Sequence, residues 1–185
     1  MDGAWGRTII IMSGGSHPEH NVVLTGFMGS GKSSVGRALA VAMRRRFIDT
    51  DEVISERHGP IPSIFAEHGE AVFRAHERSL ARELAGEAEL VISTGGGMLV
   101  DPTVADELSA AGRIFCLTAT PATIVARAVA DGLSARPLLE GDDPEGRVAA
   151  LLAERSEVYA RFEAVPTDHR SVDEIVDDLL RRLAD

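Results

Sequence analysis

Residues 26–33, GFMGSGKS, satisfy the pattern G-x-x-x-x-G-K-[ST] at every fixed position. Glycines at these spacings let backbone N–H groups curl around phosphate oxygens, and a helix opening at the lysine adds the partial positive charge of its N-terminus. In such a loop Gly29, Ser30, Gly31, Lys32, Ser33 and Ser34 cradle a nucleotide. Lys32 reaches the β- and γ-phosphates, and the Ser33 hydroxyl ligates Mg²⁺. Four fixed positions arise by accident in roughly one chain in a hundred of this size. Lys32 is also the only lysine, since every other one of the 19 basic residues is arginine. The chemistry is phosphate binding by a nucleotide site.

What the chain lacks narrows the class. A guanine-reading N-K-x-D motif is excluded, because the only asparagine is Asn21 and the only lysine Lys32. No acidic residue ends the apolar runs LVIST (90–94) or RIFCLT (113–118), where a metal-holding aspartate is usual. The best-placed acids are Asp49 and Asp51, at the end of the run Phe47-Ile48. Their spacing puts both carboxylates on one side of an extended backbone. One would help to hold Mg²⁺ and the other would accept the proton of an acceptor hydroxyl. The plainer alternative is that Asp51 and Glu52 only favour a helix N-terminus electrostatically.

These groups need elements to hold them, and the chain alternates two patterns. NVVLT (21–25), Phe47-Ile48, LVIST and RIFCLT read as strands. Lys32–Met43 carries Val35, Leu39 and Met43 at intervals of four, and Glu70–Ala85 places Phe73, Leu80 and Leu84 on one face. Asp101-Pro102 and Thr120-Pro121 look like caps followed by proline at the first helical position. Ser171-Val-Asp-Glu174 is a capping box that opens a last amphipathic helix. Such alternation predicts a three-layer α/β/α domain with a mainly parallel sheet. Residues 130–146, ADGLSARPLLEGDDPEG, read as a long helix-breaking loop, a candidate lid. His58, His68, His76 and His169 have no metal-ligand spacing and read as surface or satisfied residues.

Composition sets the remaining bounds. A chain of 185 residues with 44% hydrophobic and 26% charged content fits one globular domain. The formal charge of −10 argues against nucleic-acid partners. Any anionic ligand must therefore be met by locally converging arginines. A lone Cys116 suits a reducing cytoplasm, and no apolar run approaches a membrane span. Residues 1–20 read as a loose N-terminal extension to a domain over 21–185.

From these residues onward the sequence resembles the shikimate kinase family. The resemblance rests on GFMGSGKSSVGRALA, the D-T-D at 49–51, IFAEHGEAVFRAHE at 64–77, GGG at 95–97, ARPLL at 135–139, and Arg155 followed by Tyr159, in that order. It implies a P-loop fold with a central five-stranded parallel sheet, a substrate-binding region at about 50–85, and a lid at about 130–146. It also implies ATP-dependent phosphorylation of the 3-hydroxyl of shikimate, with Mg²⁺, in a cytoplasmic enzyme that acts as a monomer.

By the same resemblance Asp51 contacts the acceptor hydroxyls and Asp49 assists the Mg²⁺ shell. Arg74 and Arg155 bind the acceptor, with Gly95, Gly96 and Gly97 as the close wall of its pocket. Arg136 reaches the transferring phosphoryl from the lid, and Arg127 and Arg170 neighbour adenine. The chemistry of arginine agrees, because its planar fork clamps a carboxylate bidentately where a lysine point charge cannot. Glu77, one helical turn beyond Arg74, is placed to hold that fork. The segment between Arg127 and Arg136 is about two residues longer than the family pattern and lacks its lysines. The rivals are a P-loop kinase of another small polyol or cyclitol acid, and a nucleotide-binding regulator without transferase activity.

Overall fold

The computed structural model describes residues 20–130 and 142–185. Five parallel strands form one sheet: β1 (Asn21–Thr25), β2 (Arg46–Asp49), β3 (Leu90–Ser93), β4 (Gly112–Thr118) and β5 (Glu163–Pro166). Their order across the sheet is β2-β3-β1-β4-β5. The register pairs Val23 of β1 with Ile92 on one side and Ile114 on the other. β1 is buried at all five positions, which is why NVVLT reads as a continuous apolar run rather than an alternating one.

Successive residues of each strand face opposite layers. Val23, Ile92 and Ile114 pack against α4 (Glu70–Ala85) and α5 (Pro102–Ala111) through Leu80, Leu84, Val104 and Leu108. Val22, Leu24, Phe115 and Val165 pack against α1 (Lys32–Met43) and α9 (Val172–Ala184) through Leu39, Ile175 and Leu179. A third, smaller cluster of Phe27, Ile124 and Val148 joins the loop after β1 to α6 (Pro121–Ala130) and α7 (Pro144–Glu154). The connection leaving β1 runs back across β3 to β2, whereas that leaving β4 runs the other way to β5, so a crevice opens at the carboxyl end of β1, where sheets of this kind take ligands. Among the described residues no helix is long and apolar enough to cross a membrane.

The capping signals hold. Asp101 accepts from Thr103 N at 2.9 Å, Thr120 Oγ1 accepts from Thr123 N, and Ser171 with Glu174 completes its capping box. Two elements differ from the sequence reading. The helix-breaking stretch ends early, because Asp143 caps α7 and Pro144 takes its first position. Asp143-Pro144 carries the same signal as Asp101-Pro102, masked by the Gly/Asp composition around it. The segment between Asp49 and Glu70 holds two helices, α2 (Thr50–His58) and α3 (Ile61–His68), separated by Gly59 at φ +91°. Residues 1–19 and most of the proposed lid, including Arg136, lie outside the described residues.

Candidate active site

The loop after β1 is fixed by its glycines. Gly26 sits at φ +133°, and a Cβ there would lie 2.2 Å from the Leu117 carbonyl, so no other residue fits against β4. Gly31 caps α1 in the left-handed conformation and leaves the first N–H groups of the helix without a side-chain cap. Lys32 Nζ donates to the Phe27 carbonyl at 2.9 Å, which bridges its own loop. Burial lowers the Lys32 ammonium to about 8, against the opposing pull of Asp51 and Asp49. A site that withholds water from a cation in this way is preset to receive anionic oxygens.

Asp49 ends β2 and Asp51 is the second residue of α2, so the extended-backbone account of their convergence is corrected: a strand-to-helix turn brings them together. Asp49 caps α2 by accepting from Asp51 N at 3.1 Å, and its other oxygen accepts from Ser33 Oγ at 2.7 Å. Asp49 therefore caps the helix with one oxygen and holds the phosphate loop with the other. Thr50, fully buried between them, accepts from Gly95 N at 2.9 Å and ties α2 to the end of β3.

On the opposite wall, each glycine of the run lies under a different side chain. A Cβ on Gly95 would stand 2.5 Å from an Asp51 carboxylate oxygen and 3.3 Å from Glu77. On Gly96 it would stand 3.5 Å from Arg155 Nη1, and on Gly97 3.1 Å from Arg74 Nη1. Arg74 is braced at both edges, donating to Glu77 at 2.7 Å and to Glu70 at 3.0 Å. Glu77 is buried, so this is no surface pair; burial raises its carboxyl, with Arg74 opposing. Arg155 stands at the junction of α7 with the short α8 (Ser156–Tyr159), donates to the Gly96 carbonyl at 3.1 Å, and lies over the Phe27 ring at 5.3 Å.

These groups share one cleft of about 380 Å³, lined by Gly29, Lys32, Ser33, Asp49, Asp51, Arg74, Glu77, Gly95, Gly96, Gly97 and Arg155, with Phe65 and Phe73 as apolar walls. Arg127 and Arg170 lie outside this lining. Arg127 donates to the Gly29 and Thr167 carbonyls and to Thr167 Oγ1, spanning from the phosphate loop to the end of β5. Arg170 turns toward α9, donating to Asp178, Pro166 O and Glu174 O.

Sequence reasoning missed Thr50 and Glu70. Glu70 stands four residues before Arg74 and was visible as a helical pair; Thr50 gave no signal beyond its place between two acids. His58 and His76 stack at 3.7 Å, and the described residues hold no cluster of three metal-ligating His, Cys, Asp or Glu side chains.

A family model described as shikimate kinase matches residues 28–184. Shikimate kinase of Thermus thermophilus is 43% identical over 168 residues, covering 90% of this chain and 91% of the relative. The Geobacter metallireducens enzyme of that name is 43% identical, covering 86% and 89%. Among solved structures, shikimate kinase from Acinetobacter baumannii in complex with shikimate superposes with a TM-score of 0.81 at 30% identity, over 91% of this chain and 94% of that one. A gluconokinase from Sinorhizobium meliloti, at 20% identity and TM-score 0.56, shares the fold alone. With a model match over most of its length and such relatives, the chain belongs to the shikimate kinase family.

Proposed function

We propose that this chain transfers the γ-phosphoryl group of ATP to the 3-hydroxyl of shikimate. The observation that carries this reading is the meeting, in one cleft, of the phosphate loop with an aspartate and two arginines, each laid on its own glycine of one wall. Arg74 and Arg155 supply cationic forks for a carboxylate-bearing acceptor, a charge that a neutral polyol would not use. Asp51 accepts the hydroxyl proton as the acceptor oxygen bonds to the γ-phosphorus and the bond to the ADP oxygen breaks. Lys32 exchanges the Phe27 carbonyl for the β- and γ-phosphate oxygens. Arg136, which lies outside the described residues, brings further positive charge to the transferring group, as the family resemblance implies.

The donors beside the phosphate loop suit Mg²⁺. Ser33 and Asp49 are hard oxygen ligands already in contact, and such a site leaves most of the coordination to water and phosphates. Bound there, Mg²⁺ would neutralise charge on the phosphate oxygens. Three hydrogen bonds from Arg127 to carbonyls and a hydroxyl fix its guanidinium, whose planar face is what it offers a base. We place the enzyme in the cytoplasm as a monomer.

The test is ADP release from Mg-ATP with shikimate, dehydroshikimate, quinate and gluconate side by side. Shikimate should give the highest kcat/KM. No turnover at millimolar shikimate, or gluconate outcompeting it, would overturn the reading; ATP binding without any transfer would point to a regulator instead.

A further inference from the structure

One carbonyl in the acceptor wall is held twice. Gly96 O accepts from Arg155 Nη1 at 3.1 Å and from the Tyr159 hydroxyl at 2.8 Å. A carbonyl oxygen has two lone pairs, so these donors saturate it. Tyr159 stands four residues after Arg155, one turn along α8, and its ring packs on the cluster of Phe27, Ile124 and Val148. The same Phe27 ring underlies the Arg155 guanidinium. The Gly96 Cα faces the Gly26 carbonyl and Arg155, which a Cβ there would meet at ordinary contact distances of 3.4 and 3.5 Å.

We propose that Tyr159 is a positioning residue for the acceptor: its hydroxyl fixes the Gly96 peptide and thereby the direction of the Arg155 guanidinium. Arg155 has a long, rotamer-rich side chain, and one hydrogen bond to a movable glycine peptide would leave much of that freedom. A second donor, on a rigid aromatic ring with only two side-chain torsions, removes the freedom from the shared carbonyl. Burial pushes the Tyr159 phenol up, with Arg155 opposing, so it stays a protonated donor throughout the neutral range. The proposal deepens the reading of the cleft as the shikimate site and rests on it.

Tyr159→Phe keeps the ring and removes only the donor. It should raise the KM for shikimate about fivefold and leave the KM for ATP nearly unchanged, with the Tm lowered by no more than the few degrees that one lost hydrogen bond costs. Arg155→Ala should raise the shikimate KM by a larger factor, and adding Tyr159→Phe to it should change the KM by less than about twofold, because the residue through which Tyr159 acts is gone. Equal changes in both KM values, or additive effects in the double variant, would overturn the proposal.

Tyr159 is the only tyrosine in the chain, so 3-fluorotyrosine incorporation gives a single ¹⁹F resonance from the intact protein. In the absence of any ligand, Arg155→Ala should shift that resonance; an unmoved line would overturn the pairing whatever the substrate proves to be. Failure of the wild-type protein to phosphorylate shikimate, with the ¹⁹F shift present, would instead indict the substrate and leave the Tyr159–Gly96–Arg155 unit standing.

Discussion

The two halves of the cleft are built in different ways. The nucleotide half is one contiguous turn, residues 26–33, whose shape follows from glycine conformations and whose single charged side chain is the half-buried Lys32. The acceptor half is gathered from the start of α2, the middle of α4, the turn after β3 and the α7–α8 junction. There Asp51, Arg155 and Arg74 each rest on their own glycine, and the two arginines are braced by carboxylates, a carbonyl and a ring. A local loop is specified by neighbours in sequence. A gathered wall depends on the sheet order that brings β2 beside β3 and β3 beside β1. Damage to the first half should abolish transfer outright, and damage to the second should divide cleanly between kcat and the acceptor KM.

Lys32→Met offers the sharpest break. Turnover should fall by about 10³ or more, since positive charge on the transferring oxygens is lost. The fold should gain stability at pH 7. The folded chain holds the Lys32 proton more weakly than the unfolded chain, about 8 against 10.5, so the charge costs stability below about pH 8. That cost fades as pH rises toward the unfolded value. Thermal melts of both proteins at pH 7 check this, and a lower Tm for the variant would show that burial of Lys32 is not strained. By the same shift, the KM for ATP should rise above pH 8 as the free enzyme loses this proton.

The acceptor half should come apart residue by residue. Asp51→Asn should cut kcat by about 10² with ATP affinity nearly unchanged. Gly95→Ala drives a Cβ against the Asp51 carboxylate and should act on kcat by about tenfold, whereas Gly97→Ala crowds the Arg74 fork and should act on the shikimate KM. Steady-state kinetics on the two alanine variants decide it. If both variants moved the same parameter, the one-glycine-per-side-chain organisation of the wall would be wrong.

This contrast also explains what the sequence could tell. The phosphate loop, α1, α4 and the four most apolar strands announce themselves through local pattern, and Lys32–Met43 and Glu70–Ala85 match their helices end to end. β5 escaped notice because EAVP is a short edge strand, polar at its start and closed by proline. α2 is amphipathic only weakly, its identity resting on the Asp49 cap and tertiary packing of Ile54. Asp51, Arg74 and Arg155 were identifiable by resemblance, yet nothing local assigns them to one cleft. The braces, Thr50 to Gly95 and Tyr159 to Gly96, join residues 45 and 63 positions apart and have no local signature.

The smallest effect separates the two arginines that the resemblance sets near adenine. Arg127 reaches the phosphate loop itself through Gly29 O, and its plane stands beside Gly31. Arg170 reaches α9 and the end of β5 at Pro166, and its loop is further held where Asp168 accepts from Thr120 N and Thr120 Oγ1. Hydrogen bonds from Thr123 and Thr120 pull the Asp168 carboxyl down to about 2, so that anchor persists at any working pH. Arg127→Ala should therefore raise the KM for ATP about tenfold, through loss of both a base platform and a loop tie. Arg170→Ala removes one of two anchors of the loop and should raise it by about two- to threefold, with kcat and the shikimate KM unmoved. An Arg170→Ala effect as large as that of Arg127→Ala would mean that Arg170 leaves Asp178 to meet the base when nucleotide binds.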